Sequence, residues 1–369
     1  MPLLLIKLDA ALARSFGSSL RQELSIQHSG SLMLFRAKSN WRLVATILAM
    51  VAFTTSAAGQ RTAPPSAQAQ HAAIWTDPGD IKSKDLSNGP GGEKHRPQLP
   101  VKFLKEDKHG HNSKLDVEDA GGTKWKAKLG IEAQPETVTT RLLWAIGYFT
   151  NEDYFLRDLE VKDLPEHLLR GQGHVTSPNH LDMARLQRHP GGEKKGANWN
   201  WRHNPFVGTR EFNGLRVMMA LISNWDLKDE NNAIFEAKDG GEEYVVTDLG
   251  TAFGASGDRY TEKGSKNNLK AYQESKLIAK ITPAYVDFDF PRRPPPPHIV
   301  DLPHYFHQVR LRWIGERVPR ADAKWVGALL AQLSTEQIQD AFRAGGYSPA
   351  EAAAFTRAVQ SRIAELNHL

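Results

Sequence analysis

The sequence predicts a two-lobed α+β fold, with a β-rich first lobe holding one main helix and a mainly helical second lobe carrying a β-hairpin. Three observations predict it. Period-two alternation of apolar and polar residues governs the stretch from about 100 to 130. Helical spacing with capping signals governs the tail. Between them, "AIFEA" and "EYVVTDL" flank "KDGGE", whose Asp-Gly is a hairpin turn signal. With 369 residues, 40% hydrophobic and 24% charged, the chain is long enough to bury a sizeable core.

The N-terminal stretch stands apart from that fold. Residues 1–58 read as a targeting segment. "MLFRAKSNWRLVATILAMVAFTTSAAGQ" has basic Arg36, Lys38 and Arg42, an apolar run from Leu43 to Phe53, and small Ser56, Ala57 and Ala58. This is the layout of a secretory signal peptide cleaved after Ala58, with translation starting at Met33. The alternative is an uncleaved anchor over residues 43–58, although the apolar run is short for a bilayer. The segment carries six basic and two acidic residues, so the formal charge of +5 falls to +1 without it. The basic balance therefore belongs to targeting and gives no reason to expect nucleic-acid binding. Membrane contact is expected only through that segment. There are no cysteines, which excludes disulfides, thiolate metal sites and a cysteine nucleophile.

Residues 59–99, rich in Pro, Gly, Ala, Ser and Gln, read as a flexible linker without a core. The first lobe spans 100–190. "VKFLK", "KLDVED" and "TKWKAKL" are its first strands, separated by the turn-rich "EDKHGHNS" and "AGG". "EAQPETVTTRLLWAIGYF" sets Val138, Leu142, Ala145 and Ile146 at helical spacing after Pro135. "DYFLRDLEV" and "HLDMARLQR" are further strands. The second lobe spans 191–369. "LRVMMALIS" reads as a buried helix ahead of the hairpin, and three helices close the chain. Ser334 with Gln337, and Ser348 with Glu351, have capping-box spacing. "FPRRPPPPHIV" is a polyproline-like connector. Trp144, Trp199, Trp201 and Trp313 read as packing anchors.

"NWDLKDENNAIF" (224–235) packs carboxylates and amides between the buried helix and the hairpin. An antiparallel hairpin brings its two ends together, so Asn231 and Asp248 should meet. A carboxylate and an amide oxygen at a strand end suit a hard cation such as Mg²⁺ or Mn²⁺. Asp226, in the loop, can orient and deprotonate a hydroxyl. Loop register leaves Asn232 open as the ligand in place of Asn231.

"DLKDEN" (226–231) followed by "DLG" (248–250) resembles the catalytic loop and metal-binding triplet of protein kinases. The resemblance implies a lysine on the third strand and a glutamate on the next helix, and "TKWKAKLG" and "PETVTTRLL" offer Lys128 and Glu136. It implies that Lys128 contacts the phosphates of ATP, with Lys126 on the same face, and that Glu136 pairs with Lys128. Asp226 would act on the acceptor hydroxyl, Asn231 and Asp248 would hold the metal, and Lys228 would touch the transferred phosphate. "KHGHNSK" is the candidate phosphate loop, with Gly110 and Asn112. No Gly-x-Gly-x-x-Gly, His-Arg-Asp or Ala-Pro-Glu occurs. The chain is therefore similar to the divergent branches: spore-coat, secretory-pathway and HipA-type kinases. This implies an exported kinase acting on an unidentified protein or small-molecule hydroxyl. The alternatives are AMP transfer on the same fold and a non-catalytic exported binding protein.

Two other chemistries have less behind them. "HGH" (His109, His111) and "HYFH" (His304, His307) lack a third ligand at known spacing for a transition metal. No Gly-x-Ser-x-Gly elbow supports serine hydrolysis.

Overall fold

The computed structural model describes residues 72–108, 112–189, 197–237, 240–255, 266–289 and 311–369. The targeting segment, Gly110, the "HGH" and "HYFH" histidines and the polyproline connector lie outside the described residues. Among those described, the fold is mixed α and β, with six α-helices.

The alternation read in the sequence forms strands β2 (Val101–Asp107), β3 (Lys114–Glu118) and β4 (Lys124–Leu129). Strand β1 (Ala72–Ala73) precedes them, and β5 (Glu152–Lys162), β6 (Val175–Ser177) and β7 (His180–Arg188) follow. The order β4-β3-β2-β5-β7-β6, with a further β4–β7 pairing, closes five of these strands into a barrel. The seal between β2 and β5 is parallel, whereas the other barrel pairings are antiparallel. Period two then sorts the side chains. Leu115, Val117, Trp125, Ala127, Leu129, Leu181, Ala184 and Leu186 fill one cluster inside. Lys126, Lys128, Asp153 and Arg185 alternate with inward residues and so face outward.

Helix α1 (Ala133–Ala145) covers that outer face against β5 and β7. It starts two residues before Pro135, which sits in the first turn, where its missing N–H breaks no helical bond.

A second and larger cluster surrounds α2 (Arg210–Leu221), α3 (Leu269–Glu274), α4 (Arg320–Leu330), α5 (Thr335–Ala344) and α6 (Pro349–Asn367). Both capping boxes form: Ser334 accepts from Gln337 N and Ser348 from Glu351 N, each with the reciprocal side-chain bond. The hairpin is β8 (Asn232–Glu236) with β9 (Glu242–Val246). Trp199 and Trp201 are buried anchors, and Trp199 Nε1 donates to Val245 O at 2.9 Å.

Two expectations need correction. Residues 72–99 are packed against the fold and are not a free linker. Ile74, Ile81 and Leu86 enter the large cluster, Trp75 Nε1 donates to Ile146 O at 2.7 Å, and β1 pairs in parallel with β9. The Pro/Gly-rich composition hid these few apolar anchors, each worth roughly 1.5–3 kcal/mol when buried. The second half also holds a small sheet of β10 (Ile278–Ile281), β11 (Tyr285–Phe288) and β12 (Val318–Pro319), where no strand was read.

Candidate functional site

Helix α2 stops at Ile222, and Ser223 turns the chain with φ +55°. The loop that follows is braced from both sides. Buried Asn224 accepts through Oδ1 from Asp226 N at 3.2 Å and from the Thr251 hydroxyl. The Asp229 carboxylate accepts from Trp201 N at 3.1 Å and from the Asn200 amide.

Hairpin register sets the next pair. Asn232 opposes Val246, and Thr247 donates through both N (2.7 Å) and Oγ1 (2.9 Å) to Asn231 O. Asp248, the next residue, leaves the hairpin at φ +57°. Asn231 Nδ2 donates to Asp226 O at 2.7 Å. Its amide nitrogen is thereby engaged, and its oxygen is the end that remains for a cation. Asn232 is fully buried and donates Nδ2 to Trp199 O at 2.9 Å, so its amide tethers the aromatic segment. Lys228 Nζ stands 2.9 Å from Asp226 Oδ1.

Lys128 lies beneath α1 on the outer face of the barrel and is 1% exposed. Its ammonium donates to Glu136 Oε2 at 3.1 Å, pairs with Glu132 Oε2 at 2.6 Å, and donates to Asp248 Oδ1. Strand, helix and hairpin exit therefore meet on one nitrogen. Cross-strand pairing sets Arg185 opposite Lys128, and Arg185 Nη1 reaches Glu136 Oε1 at 2.6 Å and Asp153 Oδ1 at 3.3 Å. Thr140 Oγ1 adds a 2.6 Å bond to Asp153.

Burial works against charge at each of these groups, and their neighbours answer it. At Asp248 burial raises the pKa, but the Lys128 ammonium, with Lys114 and Arg185 behind it, holds the carboxyl down at about 2. Burial lowers the Lys128 pKa, yet Glu136, Asp248 and Glu132 together lift it above the ordinary lysine value. Glu132 is raised by burial and then brought below the usual range, chiefly by Lys128. Glu136 is the exception. Burial pushes its carboxyl up, against the pull of Arg185 and Lys128. A buried cation ringed this way is stable only while its carboxylates stay with it.

The structure brings Lys128, Glu136 and Asp248 into contact, and groups Asp226, Lys228 and Asn231 around the adjoining loop. Asn112 reaches the same cluster through Glu132, to which its Nδ2 donates. Lys126 does not join it. Two residues along the same face, Lys126 is held by Asp107 at 3.0 Å and Asp116 at 3.1 Å, partly in solvent. Sequence reasoning missed Glu132, Arg185, Asp153 and Lys266, whose Nζ pairs with Glu132 Oε1. Glu132 carried a signal, four residues ahead of Glu136 and four after Lys128. Arg185 needed the strand register. Among the described residues no three His, Asp or Glu side chains are grouped to hold a metal ion. A cation here would rest on few protein oxygens, as Mg²⁺ does beside phosphates.

No family model matches the chain, and no curated protein matches it. Among solved structures it is similar to the crystal structure of a Helicobacter pylori proinflammatory kinase, CtkA. The two share 9% identity at a TM-score of 0.41, over 73% of this chain and 97% of that one.

Proposed function

We propose that the chain is a two-lobed, kinase-like phosphotransferase that uses ATP with Mg²⁺ or Mn²⁺ and acts on a hydroxyl acceptor. The observation that carries the reading is the meeting of Lys128, Glu136 and Asp248 on one nitrogen. A permanently charged ammonium beside a carboxylate held ionised down to about pH 2 is a donor set suited to a metal-bound phosphate.

The residues present fit that pair of ligands. Lys128 offers a cation to phosphate oxygens, and Glu136, fixed by Arg185, sets where that cation stands. Asp248 and the Asn231 amide oxygen would hold the metal. Bound nucleotide supplies the phosphoryl group, and the cation neutralises charge developing on it. Asp226 is the group that accepts the hydroxyl proton, and Lys228, 2.9 Å away, balances the Asp226 charge. The reading includes export directed by residues 33–58, which sequencing the mature N-terminus tests.

Calorimetric titration of the purified chain with ATP, with and without Mg²⁺, tests the core of this proposal. Binding that needs the metal and is lost in Asp248→Ala is the expected result. No binding of ATP under either condition would overturn it. Mass spectrometry of the modified acceptor separates phosphate from AMP transfer.

A further inference from the structure

Three hydrogen-bond donors from three separate elements close on a single carboxylate. Glu132 Oε2 receives Lys128 Nζ from β4 at 2.6 Å and Asn112 Nδ2 from just ahead of β3. Glu132 Oε1 receives Lys266 Nζ, from the segment that follows Asp248. Two ammonium groups and an amide around two oxygens make a donor set that phosphate oxygens satisfy equally well.

The ammonium of Lys128 has three N–H groups, and all three end on carboxylates: Glu132, Glu136 and Asp248. No donor remains for an incoming phosphate unless one carboxylate gives way. Glu136 is not free to do so, because α1 and Arg185 both fix it. Asp248 is set by the hairpin exit. Glu132 is different. It stands at the start of α1 without capping the helix, and its carboxylate has no arginine partner among the described residues. Gly250 packs closely behind it, since a methyl group there would stand 2.5 Å from Glu132 Cβ and 3.0 Å from its carbonyl oxygen. Lys128, Lys266 and Asn112 thus already converge on the Glu132 carboxylate.

We infer that Lys128, Lys266 and Asn112 form a binding site for a nucleotide phosphate group, and that the Glu132 carboxylate occupies this site until phosphate displaces it. The inference rests on the nucleotide reading above, and it adds Lys266 and Glu132 to it. Glu132 is a positioning residue: it keeps the donors assembled, and its negative charge competes with phosphate for them. Competition within the molecule lowers apparent affinity by the fraction of time the site is filled from inside.

Titration of the full chain with Mg-ATP, and with inorganic tripolyphosphate as a probe that lacks the nucleoside, tests the inference. Glu132→Gln keeps the shape and removes the charge, and it should bind both probes about tenfold more tightly than the unaltered chain. Lys266→Gln should bind both several-fold more weakly. Unchanged or weaker binding in Glu132→Gln, with normal binding by the unaltered chain, overturns the inference and leaves the nucleotide reading standing. Should Glu132→Gln fail to fold, unchanged affinity in Lys266→Gln overturns the inference by itself. If neither the unaltered chain nor Glu132→Gln binds either probe, both readings fall.

Discussion

Two buried cations in this molecule are satisfied in opposite ways. Lys128 is ringed by three carboxylates from three elements. Arg362, on α6, ends on neutral oxygens: Leu221 O at 3.0 Å, Ser223 Oγ at 2.9 Å, Tyr272 O at 2.8 Å and Ser275 Oγ at 2.7 Å. It also lies 3.8 Å over the Tyr272 ring. Main-chain carbonyls and serine hydroxyls carry no net charge that a phosphate or metal could replace. Carboxylates carry one that a phosphate can replace. The first arrangement suits a site, and the second is a fastening between helices.

Substituting the two cations breaks the comparison most directly. Lys128→Met should lower nucleotide turnover by at least about 10³-fold. Arg362→Met should cost about 3 kcal/mol of stability and, unlike Lys128→Met, leave ATP affinity per folded molecule unchanged. Chemical denaturation beside titration calorimetry reads both, and a loss of affinity in Arg362→Met would erase the distinction. Asp226→Asn comes next. It should bind Mg-ATP normally yet transfer phosphate about 10²–10⁴-fold more slowly, and normal transfer would remove Asp226 from its role.

Smaller effects sharpen the picture. Gly250→Ala would set a methyl group 2.5 Å from Glu132 Cβ and 3.0 Å from Glu132 O and should cost about 2 kcal/mol, seen as a lower thermal midpoint. Acidification then separates the two fastenings. The Asp248 carboxyl is held at about 2, below its ordinary value near 3.9. Its contribution is complete above about pH 4 and disappears as pH falls through about 2. An acid-unfolding series should show that part of the pH dependence missing in Asp248→Asn and retained in Arg362→Met.

Much of this architecture could be read from the chain itself, where local rules decide. The strands at 101–107, 114–118 and 124–129 follow from alternation, both capping boxes from four-residue patterns, and the pairing of Asn231 O with Thr247 from one hairpin. The ring around Lys128 was only half readable. Glu136 lies one helix away, but Arg185 arrives through β4–β7 pairing, and Lys266 comes from far along the chain with no short pattern tying it to Glu132. The same limit hid residues 72–99. Their anchors are Ile74, Ile81 and Leu86 spaced among turn formers, with no period to betray them. Strands β10 and β11 are only four residues each, and β12 joins β11 from far along the chain, Pro319 opposite Tyr285.

Strand β1, only Ala72–Ala73, lies along the outer side of β9 opposite Glu242 and Glu243. It shields main-chain groups that would otherwise stand open at the border of a three-stranded sheet. A protease cutting just after Trp75 would release this strip together with its anchor into Ile146 O. The exposed border of β9 would then be a template on which a strand from another molecule could add. Handling of the chain upstream of residue 76 therefore bears on whether the folded part stays dispersed or assembles into aggregates.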